Sequence, residues 1–283
     1  MYEEKGAHEG EGGIFLDMMA DVQAHNLADF KRVVGGSWQC VSKVMDLCDV
    51  LLNALPASGQ RMHEERVRAL DALLHAAKRA GSAGTLSLAR GQWLEAQPQF
   101  RRYVECFGFA RIAWARKDDA VLWFKGVQSA DAYEAYRGRF AALLPRALKE
   151  LHRSLRDAHG DFSKGTHSSF LSIRHAMTDG GDDSTLELTF AYFDLGRPEE
   201  TAGYVELFLE TVRVLLMCQE TFAVRTFGAK RWKPSWEHWV AVRTPVVKEW
   251  FALEEALRRS VGLPIRLVES EQDGQGGEGT ATR

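Results

Sequence analysis

WQCVSKVMDLCDVLLNAL, residues Trp38 to Leu55, sets the period of the chain. Trp38, Val41, Met45, Cys48, Leu52 and Leu55 follow one another at alternating steps of three and four. At about 100° per residue those steps stack on one face, so the stretch reads as an amphipathic helix. Cys48 falls on the stripe and reads as core packing, with Cys40 off the line. Upstream, Phe15, Met18, Met19, Val22, Leu27 and Phe30 give a helix over 14–34, stopped by Gly35-Gly36, with Ser37 as the next N-cap. Downstream, Pro56-Ala-Ser-Gly59 ends the stripe, and Val67, Leu70, Leu74 and Ala77 mark a third helix over 60–79. Short connections between three successive helices favour antiparallel neighbours.

The same period continues beyond Gly81-Ser-Ala-Gly84, which reads as a break. Pro98 then predicts a break or a first-turn position. Phe100, Tyr103, Val104, Phe107, Ile112 and Trp114 follow on a wide, deeply buried arc that also contains Arg101, Arg102 and Glu105. Asp131 reads as the cap of a long helix to Ala158, with a kink or restart at Pro145. Pro198 opens another helix, to Phe227, and a last one spans 246–260. Only TLELTFAYF, 185–193, alternates like a strand, with 169–173 or 265–268 as its partner. The expected fold is therefore an all-α bundle of about seven to nine helices with at most one small β-hairpin. It occupies 14–268 as a single domain, between a disordered lead, 1–13, and a disordered tail, 269–283.

Composition narrows the function classes. A net charge of -3 and a pI near 6.3 argue against a generic nucleic-acid or membrane-surface binder. The four cysteines form no C-x-x-C pair, which suggests neither a zinc site nor a disulfide framework. An acidic, Gly-rich start and the lack of any apolar run of about 18–20 residues point to no signal peptide and no membrane span. A cytoplasmic protein is the expectation. P-loop, dinucleotide and G-x-S-x-G patterns are missing, so no cofactor is expected.

Chemistry-bearing residues concentrate in HGDFSKGTHSSFLSIRH, His159 to His175, with three of the nine histidines. Their spacing of eight matches no compact metal-ligand motif, and no metal is expected. Just upstream, His152, Arg156 and His159 step by four and three and share a helical face. Arg153 and His159 also fit R-x5-H, within the R-x(4–6)-H motif of HEPN-type helical domains, which this string resembles. In RNase members of that group, the resemblance implies an arginine that steadies phosphate and a histidine that moves a proton. Arg153 and His159 lie about 120° apart on an ideal helix, so they converge only if the helix ends between them.

A wider likeness joins Arg101, Arg102 and Glu105 (R-R-x-x-E), Trp123, and S-K-x-x-H-S-S with Ser163, Lys164, His167, Ser168 and Ser169. This order resembles uncharacterised bacterial all-helical proteins distantly grouped with HEPN-type and abortive-infection domains. Phe162 stands where the pattern has leucine, and Thr166-His-Ser-Ser replaces H-P-S. The resemblance implies a helical bundle with a polar site near Arg102, Glu105 and His167, and no assigned reaction. Since buried Arg and Glu are costly unless paired, they form either a structural ion pair or His-Glu hydrogen bond that fixes the bundle, or a polar ligand or catalytic pocket, with Lys164 and Ser168 among the candidate ligand-binding residues. Arg102 and Glu105 at three, or Arg101 and Glu105 at four, are both within pairing reach.

Finally, Lys230, Arg231 and Lys233 interleave with Trp232, Trp236 and Trp239, a mixture that suits stacking on single-stranded RNA or docking of a helix on the core. The expected function is a non-catalytic binding or accessory module, placed by the resemblance in bacterial stress or phage defence. The alternative is a metal-independent RNase using Arg153 or Arg156 with His159 or His167. HEPN-type bundles commonly pair, so the resemblance also implies a homodimer.

Overall fold

A computed structural model of the chain describes residues 11–54, 64–126, 129–166, 198–228 and 233–265. Among these residues there are nine helices and no strand. They are α1 Glu11–Val34, α2 Gly36–Ala54, α3 Glu64–Ala89, α4 Trp93–Ala115 and α5 Lys117–Lys125. There follow α6 Ala130–Leu151, α7 Arg153–Thr166, α8 Pro198–Phe227 and α9 Lys233–Ser260. The chain is all-α, as its period predicts. The expected strand over 185–193 and both of its candidate partners except Ile265 lie outside the described residues.

Helix α4 is the hub, packing on α3, α5, α6, α7 and α8, with its broadest contact on α3. Buried side chains from all nine helices join one continuous core. Phe100, Tyr103, Val104 and Phe107 of α4 are fully enclosed. Inside that core the Tyr103 hydroxyl donates to the Leu215 carbonyl at 3.1 Å and accepts from Gln219 Nε2 at 2.9 Å. The same Gln219 nitrogen donates to the Val44 carbonyl at 2.8 Å, so one amide ties α2, α4 and α8 together.

Several expected breaks are not breaks. Gly81 and Gly84 lie inside α3, which runs on past Arg79 to Ala89. A Cβ on Gly84 would sit 2.6 Å from a ring carbon of Phe100, and one on Gly81 2.7 Å from the sulfur of Met45. These glycines are missing side chains that let α4 press against α3; chain termination is not their role. Pro98, Pro145 and Pro245 are likewise interior to α4, α6 and α9. All three are exposed, so water can take the carbonyl each leaves without its helical partner.

The break expected near Pro145 falls at His152, which is extended at φ -159°, ψ 142°. Its backbone N–H closes α6 on the Leu148 carbonyl, while its ring Nδ1 accepts from the Ser154 N–H at 3.2 Å. One residue thus ends α6 and opens α7. Gly35 does separate α1 from α2, at φ 52°. Smaller corrections concern helix limits and caps. Helix α1 starts at Glu11, inside the expected lead, and α9 starts at Lys233, taking in Trp236 and Trp239. Ser129, two residues before Asp131, caps α6 by accepting from the Ala132 N–H at 3.2 Å. Cys40 is as fully buried as Cys48, because α2 packs against both α3 and α9.

Candidate functional site

Glu105 sits in the fourth turn of α4, one turn after Arg101 on the same face. Arg101 Nε donates to Glu105 Oε1 at 2.8 Å, and His159 of α7 meets the same oxygen through Nε2 at 3.0 Å. Of the two pairings open to Glu105, the one four residues apart forms. Burial pushes the Glu105 carboxyl up, but the bonds from His159 and Arg101 outweigh it and hold it below the ordinary glutamate value. A carboxylate accepting two such bonds is ionised at neutral pH. Side-chain exposures are 32% for Arg101 and 22% each for Glu105 and His159, so the cluster stands at the edge of the core.

On its outer side Glu105 lines an open cleft of about 420 Å³. Arg101 and Arg102 add to its polar lining, and Phe109, Trp123 and Tyr136 to its apolar lining. Arg102 is exposed, which corrects its expected burial. Cys106 also reaches the cleft, but burial pushes its thiol up to about 12. A thiol in that state is no nucleophile at neutral pH. Burial also raises the Tyr136 phenol, which stays protonated there. His159 bonds Glu105 and is not among the cleft-lining residues.

The rest of the expected site separates. Helix α7 runs uninterrupted through Arg153, Arg156 and His159, so the helix end that would let Arg153 and His159 converge is not present. Arg153 and Arg156 are exposed, and His152 lies outside α7 as its cap. Lys164 is exposed and donates to Asp161 of its own helix at 2.8 Å. His167 and Ser168 lie outside the described residues, as do Lys230, Arg231 and Trp232. Lys233 opens α9 on the surface and stands 3.6 Å from Glu237. Trp239, the third tryptophan of that segment, is 1% exposed and belongs to the core, so it offers no stacking surface.

A second charged cluster escaped the sequence reading. Arg258 and Glu254 of α9 are 1% and 3% exposed and bond at 3.0 Å. Arg213, Glu210 and Glu206 of α8 complete the network. The available signal was that Trp250, Glu254, Leu257 and Arg258 share a helical face, which puts two charges on an apolar stripe.

No protein-family model, curated protein or solved structure matches the chain.

Proposed function

We propose that this protein is a non-catalytic helical binding module whose ligand seat is the cleft beside Glu105. One observation carries the proposal: two arginines, a carboxylate and three aromatic side chains line one cleft, while His159, which bonds that carboxylate, is not among the lining residues. Concave sites with an apolar lining and a few fixed polar groups suit small ligands. With Arg101 engaged by Glu105, the exposed Arg102 is the group offered to an anionic end, and Phe109, Trp123 and Tyr136 to an apolar body. By the resemblance, its setting is the cytoplasm of a bacterium responding to stress or phage.

Saturation-transfer NMR with phenylacetate as probe tests this seat. Transfer to the ring protons is expected with the full chain and is lost in Arg102→Ala. Absence of transfer, or transfer that survives in Arg102→Ala, rejects the cleft.

A metal-independent RNase is the second reading, and one contact favours it. A carboxylate bonded to an imidazole orients it as a general base requires. RNA cleaved by the pure protein and left intact by His159→Ala decides for the enzyme. RNA left intact after long incubation with the unaltered chain decides for the binding module.

A further inference from the structure

A different cleft, of about 360 Å³, opens where α4, α5 and α6 meet, and four arginines line it: Arg111, Arg116, Arg139 and Arg146. Two carboxylates lie among them. Asp119 is buried and takes the fork of Arg139 at 3.0 and 3.4 Å. Glu150 takes Arg146 at 2.9 Å and Arg111 at 3.3 Å. Four positive charges against two negative leave an excess of two. Arg116 is exposed and has no ion pair among the described residues, and it enters α5 without a side-chain capping bond. Arg111 Nε is buried with no hydrogen-bond partner among them. Burying a guanidinium N–H unpaired is costly, and this one belongs to an arginine that also lines the cleft.

We propose that this cleft binds a small phosphate monoester through its dianion. The excess of two positive charges equals that charge. Guanidinium forks recognise phosphate bidentately, and a tetrahedral group offers oxygens to arginines arriving from different helices. A flat carboxylate carries one charge and engages fewer of them. Ile112, Leu143 and Ala147 supply an apolar floor beside the arginines, which fits an ester with a ring or short chain better than inorganic phosphate. A phosphodiester backbone carries one charge per unit and needs a long open groove. This cleft is bounded by three helices and sized for one small molecule.

Isothermal titration of the full chain with phenyl phosphate, inorganic phosphate and a single-stranded RNA 12-mer tests the site. Phenyl phosphate is expected to saturate with about tenfold or greater advantage over inorganic phosphate. Arg116→Ala with Arg146→Ala is expected to weaken it about tenfold or more, through loss of charge-assisted bonds. Arg116→Lys should fall between, keeping the charge and losing the fork. Both positions are exposed, and an unchanged thermal melt verifies that the variant is folded. No saturable heat with phenyl phosphate, or full affinity in the double variant, overturns the proposal. RNA binding without phenyl phosphate binding also overturns it, in favour of a polyanion surface.

Discussion

The Arg258–Glu254 cluster between α8 and α9 and the Arg101–Glu105–His159 cluster between α4 and α7 use the same side chains to opposite ends. In the first, Arg258 bonds Glu254, lies within 3.3 Å of Glu210 and 3.6 Å of Glu206, and donates to the Pro264 carbonyl. Arg213 closes on Glu254 from α8. Taking ions out of water costs several kcal/mol each, and that cost is met here by partners on every side. Such a network, centred on the buried Arg258 and Glu254, fixes how α9 sits on α8. In the second, the carboxylate keeps 22% of its exposure, has two partners on one oxygen, and faces an open cleft. Burial with full pairing marks the structural cluster; partial exposure beside a cavity marks the one available for binding.

That contrast has a measurable scale. Arg258→Ala takes from the buried Glu254 one of the two arginines that bond it, and a loss of about 3–5 kcal/mol is expected in urea unfolding. A loss under about 1 kcal/mol, the range of an exposed pair, would put the two clusters in one class and erase the distinction. Tyr103→Phe comes next. It removes an equally buried but uncharged partner: one Gln219 proton loses its 2.9 Å oxygen acceptor, while the Leu215 carbonyl keeps its helical backbone bond. About 1–3 kcal/mol is expected. If it equals the Arg258 effect, depth alone accounts for the scale and charge adds nothing.

Helical period was legible in the sequence, and the limits of the helices were less so. The stripe from Trp38 is buried where expected at Val41, Met45 and Cys48, and α8 spans Pro198–Phe227 as its apolar positions predict. What misled was local chemistry whose meaning depends on a neighbour. Gly84 reads as a breaker until Phe100 is placed against it, and Pro98 reads as a break or first-turn position until its exposed side is known. Arg102 reads as buried because Tyr103 and Val104 beside it are, although at about 100° per residue an adjacent side chain points elsewhere. At the site, the Arg101–Glu105 pair was readable from its spacing. Its bond to His159 spans 54 positions and joins two helices, which no local pattern encodes. The arginine cleft draws on three helices and was invisible for the same reason.

The smallest effect comes from Glu105, and its sign is the sharpest test of the edge cluster. Its carboxyl is held below the ordinary glutamate value in the folded chain, so the unfolded chain takes up a proton first as pH falls. The stabilisation is whole above the ordinary glutamate range, near about pH 4.3, and drains away as pH drops through the lowered folded value. Glu105→Gln keeps the shape and removes the charge. At neutral pH it should cost only about 0–1 kcal/mol, because a partly exposed pair is screened by water. Below about pH 4.3 the gap between the Glu105→Gln variant and the unaltered chain should narrow with each step of acid, followed by urea unfolding at fixed salt. A gap that stays constant across that window would mean that Arg101 and His159 do not hold the carboxylate ionised. A gap that starts several kcal/mol wide would mean that this cluster, like the one at Arg258, is part of what holds the helices together.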